Sequence, residues 1–123
     1  MASKTLTRFL SPLLNWAAPR YQAAVGDVLR KHGLRYEDLY DPLLNQDVDE
    51  ALKRLPQEEV DARNQRLKRA MDLSLKHVSL EKEMQEKQTP YLSYIRETLD
   101  AVEAENAEKQ QLGTGKNYDR SLP

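Results

Sequence analysis

The chain of 123 residues contains no cysteine. Disulfides, a thiolate nucleophile and a Cys-ligated metal are excluded at once. Histidine occurs twice, as His32 and His77, so imidazole chemistry has little to work with. No apolar run approaches the ~18 residues of a membrane-spanning helix. Glycine occurs four times, and Val, Ile and Thr together twelve times. Strands and hairpins draw on those residues, so an all-α fold is expected. Large apolar side chains are scarce as well. Leu, Ile, Val and Phe make up 27 residues, while Trp and Phe occur once each. That is little above the ~20% below which chains tend to stay disordered. Ordering each residue costs about 1.5 kcal/mol, so the core has to be completed by neighbouring proteins. The expected architecture is one open, irregular array of four to five helices packed against partner subunits. The helices fall at about 19–32, 47–54, 56–78 and 90–111, with an N-terminal helical arm. Residues 1–18 form a docking arm and residues 113–123 a C-terminal tail.

What the chain has is charge, in blocks. The net charge is −1 with 32% charged residues. Residues 1–35 hold six basic side chains and one acid, and residues 37–50 hold six acids and no base. Blocks of alternating sign suit contacts between segments and with partners. A nucleic-acid surface wants one continuous basic face.

The stretch Ala51–His77 organises the rest. Pro56 suits the first position of a helix, where its missing N–H costs nothing. Glu58 and Glu59 in the first turn and Lys76 and His77 in the last complement the helix dipole. At about 100° per residue, Val60, Leu67, Met71, Ser74, Leu75 and Val78 share one face, which predicts the buried stripe. Arg66 has no acid four residues away in either direction, and Arg69 has Asp72 only at i+3. Both lie near Leu73, off the stripe. Under-paired arginines beside a leucine mark a second contact face, with charge-assisted bonds to carboxylates of a partner or of the 37–50 block. A solvated face with long stems lying over Leu73 is the plainer alternative.

The flanks follow the same logic. Residues 3–18 carry Leu6, Phe9, Leu10, Leu13, Leu14 and Trp16 with Lys4 and Arg8 and no acid. The composition fits a mitochondrial transit peptide, but a retained docking arm broken at Pro12 is the reading preferred. Pro19 starts a helix whose stripe is Tyr21, Ala24, Val25, Val28 and Leu29, and Gly33 stops it. Leu34–Leu44 is expected to be irregular, with a turn at Asp41-Pro42. Asp47 is expected to cap a short helix with Val48, Leu52 and Leu55 inward. Leu80–Gln88 allows one or two helical turns. Thr89-Pro90 is expected to start the last helix, with Leu92, Ile95, Leu99 and Val102 inward.

Catalytic motifs are missing. There is no Gly-rich phosphate loop, no Ser-x-x-Lys, no Gly-x-Ser-x-Gly and no metal-ligand spacing. Adjacent acids such as Glu58 and Glu59 point to different helix faces. His77 and His32 read as residues that complement helix dipoles, and Tyr91 and Tyr94 as interface tyrosines. No catalytic, cofactor-binding or metal site is expected. The partner-contact candidates are Phe9, Leu13, Trp16, Arg63, Arg66, Arg69, Leu73, Tyr91 and Tyr94.

Ala51, Arg54-Leu55-Pro56, Asp61, Arg63, Arg66-Leu67-Lys68-Arg69-Ala70 and Asp72-Leu73-Ser74 carry a resemblance. So do Gly33-Leu34 with Asp38, and Tyr91-Leu92 with Tyr94. Together they resemble subunit 7 of the mitochondrial cytochrome bc1 complex, the 14 kDa ubiquinol–cytochrome c reductase binding protein family. Ala62-Arg63-Asn64-Gln65 and the Tyr118–Pro123 ending look like the plant-type branch. The likeness covers roughly residues 20–110. It implies a noncatalytic accessory subunit of respiratory complex III in mitochondrial electron transport. Such a subunit lies peripherally on the matrix side of the inner membrane against cytochrome b and the core subunits. It has no cofactor of its own and helps assembly. The rival from another class is a helical nucleic-acid-binding or adaptor protein using Arg63, Arg66, Lys68 and Arg69. The acids interleaved through that helix count against it. A small hydrolase fails for want of a nucleophile and base.

Overall fold

A computed structural model of the protein describes residues 2–113, with side chains from Arg8 onward except that of Phe9. The expected C-terminal tail therefore lies outside the described residues, apart from Gly113. Every regular element described is helical: α1 (Ala2–His32), a 3-10 turn (Tyr36–Leu39), α2 (Gln46–Arg54), α3 (Gln57–Lys76), α4 (Lys82–Glu86) and α5 (Arg96–Gln111). The chain divides into two compact units. Among the described residues, one comprises 2–36 and 65–92, the other 37–64 and 93–113.

In the first unit, α1 is one helix of 31 residues with Pro12 and Pro19 inside it. The expected break at Pro12 and start at Pro19 do not occur. Each proline removes one i→i−4 bond. Seven residues apart, the two lie on the same helix face, and Leu13, Leu14, Ala17, Ala18, Ala23 and Ala24 favour helix around them. α1 ends in a Schellman motif. Gly33 has φ +67°, its N–H bonds the Arg30 carbonyl, and Leu34 N–H bonds the Leu29 carbonyl. That is the geometry in which glycine avoids a Cβ penalty. Leu29 is buried, while Tyr21 and Val28 of the expected stripe are exposed. The chain after α3 returns to this end of α1, where Leu80 N–H bonds the Lys31 carbonyl at 3.0 Å.

α3 ends in the same motif. Val78 N–H bonds the Leu73 carbonyl, and His77 N–H bonds the Ser74 carbonyl. His77 takes the left-handed position itself, at φ 56°. It stops the helix through its backbone, a role usually given to glycine. His32 keeps its expected role, with Nδ1 3.1 Å from the Val28 carbonyl near the end of α1.

In the second unit, α2 and α5 pack on each other around Val48, Ala51, Ile95, Leu99 and Val102, with Leu52 and Leu55 half-buried beside them. The cap of α2 is Asn45, whose Oδ1 accepts from Asp47 N–H at 2.9 Å. Asp47 was the expected cap; Asn45 sits at the extended residue before the helix, where a short side chain reaches the free amides. Leu55 is extended (ψ 153°), as the residue before a proline must be. That separates α2 from α3.

α5 begins at Arg96, not at Thr89-Pro90. Residues 89–92 form a turn, with Leu92 N–H bonded to the Thr89 carbonyl, and the Pro90 carbonyl is taken by Tyr36 N–H at 2.7 Å. Leu92 is consequently half exposed. The start of α5 is fixed instead by Glu37, from the 3-10 turn. Its carboxylate accepts Tyr94 N–H at 2.9 Å and Ile95 N–H at 3.0 Å, and the Ser93 hydroxyl at 2.7 Å. Glu37 is 8% exposed.

Burial pushes the Glu37 carboxyl up. The bonds from Ile95, Tyr94 and Ser93, with the charge of Arg96, outweigh it and hold it below its ordinary 4.5. A carboxylate whose folded pKa is depressed stabilises fully above the unfolded value and loses that contribution as pH falls through the folded one. The protection of the Tyr94 and Ile95 amides, measured against the intrinsic exchange rate at each pH, should therefore be constant above about pH 4.5 and fall as the pH drops further. Glu37→Gln should flatten that acid dependence; an unchanged dependence would show that another group carries it. A second substitution follows from α3. His77→Gly should stabilise by about 1 kcal/mol, the cost of a Cβ in the left-handed region. An increase in the urea-unfolding midpoint would report it.

Candidate functional site

The inward face of α3 is where sequence expectation and structure differ most. Met71, Leu75 and Val78 of the expected buried stripe are 66%, 80% and 49% exposed. Ser74 is exposed too, and Val60 and Leu67 are half-buried. The face turned into the protein runs through Arg63, Leu67, Ala70 and Leu73, with Arg66 and Arg69 half-buried along it. The helix thus turns cations inward and leaves apolar side chains outside.

The reason lies in the groups those cations meet. Arg69 Nη2 donates to the Gly33 carbonyl at 3.0 Å, in the left-handed turn that closes α1. It completes an open carbonyl where a positive charge also complements the dipole. A Cβ on Gly33 would overlap the Arg69 guanidinium and lie 2.9 Å from Leu80 Cδ1. Arg63, 7% exposed, donates from Nη2 to the Tyr40 carbonyl at 2.8 Å, just past the 3-10 turn. The Nε atoms of both arginines are buried with no hydrogen-bond partner. The sequence pointed to Arg69 as under-paired at helical spacing and to a carboxylate as its acceptor; the structure pairs it instead with a backbone carbonyl outside its own helix, at the open end of α1. No spacing rule identifies that acceptor.

The tyrosines have internal partners. Tyr94 OH donates to Asp38 Oδ1 at 2.6 Å. Tyr91 OH donates to the Gln22 carbonyl of α1. Its ring lies close over Gly26, where a Cβ would come within 3.1 Å of it, and 6.0 Å from the Tyr36 ring. Tyr21, Gln22, Val25, Tyr36 and Tyr91 line a cavity of about 290 Å³ there.

On the N-terminal arm, Leu10, Leu13, Leu14 and Trp16 are 41–61% exposed, and Arg20 stacks its guanidinium 4.1 Å from the Trp16 ring. Phe9 lies outside the residues whose side chains are described. In the 34–44 stretch, where the sequence has Tyr36, Leu39, Tyr40, Leu43 and Leu44 apolar enough to lie along a surface, Leu39, Leu43 and Leu44 are 55%, 93% and 87% exposed. Among the described residues no cluster of His, Asp and Glu could hold a metal ion, and no helix is long and apolar enough to cross a membrane. The candidate site is therefore a set of apolar surfaces on a helical frame.

The family model of the ubiquinol–cytochrome c reductase complex 14 kDa subunit matches residues 5–110. This chain belongs to that family. Cytochrome b-c1 complex subunit 7-2, mitochondrial, of Arabidopsis thaliana is 50% identical over 118 residues, covering 96% of this chain and 97% of that one. Cytochrome b-c1 complex subunit 7 of Solanum tuberosum is 48% identical over 123 residues, the full length of both. The Homo sapiens subunit 7 is 34% identical over 105 residues, 85% of this chain and 86% of the human one. The plant relatives stand nearer than the human one, in keeping with the plant-type features around Ala62–Gln65. Within the family match, Arg63 and Arg69 act as long-range carbonyl caps.

Truncating either arginine leaves a partly buried carbonyl without its donor, at about 1 kcal/mol or more. Lys76 is 65% exposed in an i,i+4 pair with Asp72, worth at most about 1 kcal/mol. Arg63→Ala and Arg69→Ala should shorten the half-life under limited proteolysis several-fold, and Lys76→Ala should barely move it. Equal effects of the three would show that the carbonyl bonds contribute nothing.

Proposed function

We propose that this chain is a noncatalytic accessory subunit of mitochondrial complex III, the ubiquinol–cytochrome c reductase. Its near full-length likeness to cytochrome b-c1 complex subunit 7 carries the reading. The surfaces support it. A frame that leaves Leu13, Trp16, Leu44, Met71 and Leu75 exposed presents apolar area of the kind that marks interfaces. The role is to hold neighbours in place within the complex during electron transport. The neighbours proposed are cytochrome b and the core subunits, with the chain peripheral on the matrix side of the inner membrane. The frame itself is a single helical subunit and binds no cofactor. Residues 1–18 serve as its docking arm. Phe9, Leu13 and Trp16 of the arm, with Tyr91 and the Leu73 end of α3, are the proposed contact residues. Arg63, Arg66, Arg69 and Tyr94 support those surfaces from inside.

Blue-native electrophoresis of solubilised mitochondria carrying a tagged chain tests the reading. The tag should migrate with complex III, and migration as a free monomer would refute it. Deletion of residues 2–16 should leave the helix from Gln57 intact and reduce incorporation several-fold. Normal incorporation of the truncated chain would remove the arm from the proposal.

A further inference from the structure

Segments that alternate along the chain are sorted by charge in the fold. Residues 1–36 and 65–92 hold twelve Lys and Arg against five Asp and Glu. Residues 37–64 and 93–113 hold five against fourteen. The exposed leucine ledge, Leu39, Leu43 and Leu44, stands on the acidic unit. Beside it is a cavity of about 380 Å³ whose apolar wall is Leu39, Leu44, Val48 and Leu99 and whose polar wall includes Asp41, Glu103 and Arg96. Arg96 pairs with Asp100 at 2.9 Å and also feels Glu103, so that one cation stands against Asp41, Glu103 and Asp100 and the net charge at the cavity is negative.

The ledge is held in place. Asp41 Oδ1 accepts Leu43 N–H at 2.9 Å, and the Asp41 carbonyl accepts Leu44 and Asn45 N–H at 3.2 and 3.1 Å. Arg63 fixes the Tyr40 carbonyl from below. With the Leu43 and Leu44 amides bonded to Asp41, the backbone that presents these leucines to water is already ordered, which lowers the entropy cost of binding there. The acidic rim repels an anionic headgroup layer and nucleic acid alike, and attracts a basic polypeptide.

We propose that this ledge docks a basic amphipathic segment of a neighbouring protein. One apolar side chain of that segment enters the cavity, and its Lys or Arg side chains reach Asp41 and Glu103. The inference rests on the subunit reading and names the chemistry of one partner.

Charge reversal at the ledge separates this from a purely apolar contact. Chains carrying Leu44→Lys or Leu44→Glu replace the natural chain, and the complex is captured through another of its subunits and washed with rising salt. Both variants lose the leucine. Only lysine adds repulsion to a basic partner, so its retention should be about tenfold below that of the glutamate variant. Equal retention, or lower retention of the glutamate variant, would overturn the proposal. Glu103→Lys, on the exposed side of α5, gives the same reading without touching the ledge, and unchanged retention would count against it. A benzophenone amino acid at position 44 should cross-link to a segment rich in Lys and Arg. Capture of an acidic segment, of lipid or of a second copy of this chain would overturn it. If the unmodified chain itself does not co-purify, the subunit reading fails. If it does and the asymmetry is missing, only the docking proposal fails.

Discussion

The Glu37 carboxylate holds the start of α5, and the core of the acidic unit depends on that bond. Tyr94 and Ile95 would otherwise present amide groups with no carbonyl behind them, in a place where Ile95 is fully buried. An unmet buried N–H costs about 1–3 kcal/mol. With Glu37 in place, Ile95, Leu99 and Val102 come into register against Val48 and Ala51. Asp38, next in sequence, takes the Tyr94 hydroxyl. At the far side of the same unit Arg54 makes a forked pair with Glu105, both bonds at 2.8 Å, and Asn106 donates to Asp47. These polar bonds tie α2 and α5 together where apolar side chains are few.

The arginines of α3 follow the same rule with the sign reversed. Arg69 and Arg63 carry positive charge to carbonyls left open at the ends of other turns, as Glu37 carries negative charge to open amides. A chain poor in large apolar residues thus closes its turns with long charged side chains from distant segments. Several of its apolar residues outside the α2–α5 core are then left to face outward. Met71, Leu75, Leu43, Leu44 and Trp16 stand in water in the isolated chain. This connects the fold with the accessory role, since a protein built this way becomes complete against neighbours.

Much of this was legible in the sequence. The few β-branched residues and few glycines pointed to an all-helical chain, and the Pro and Gly positions to some of its boundaries. They also placed a stop at Gly33, a boundary at Leu55-Pro56, and a stripe of Ile95, Leu99 and Val102. Those features act over a few residues, and local sterics decides them. The run from Ala51 to Ser74 carried the family likeness. Only the tertiary structure decided which face of α3 turns inward, that α1 continues through both prolines, and that α5 starts six residues after Pro90. It also decided that the charged blocks separate into a basic and an acidic unit. Helical periodicity assumes that the apolar stripe is buried within its own chain. Here the partners of Arg63, Arg69 and Glu37 lie 23 to 58 residues away, and backbone groups at such distances leave no spacing in the sequence.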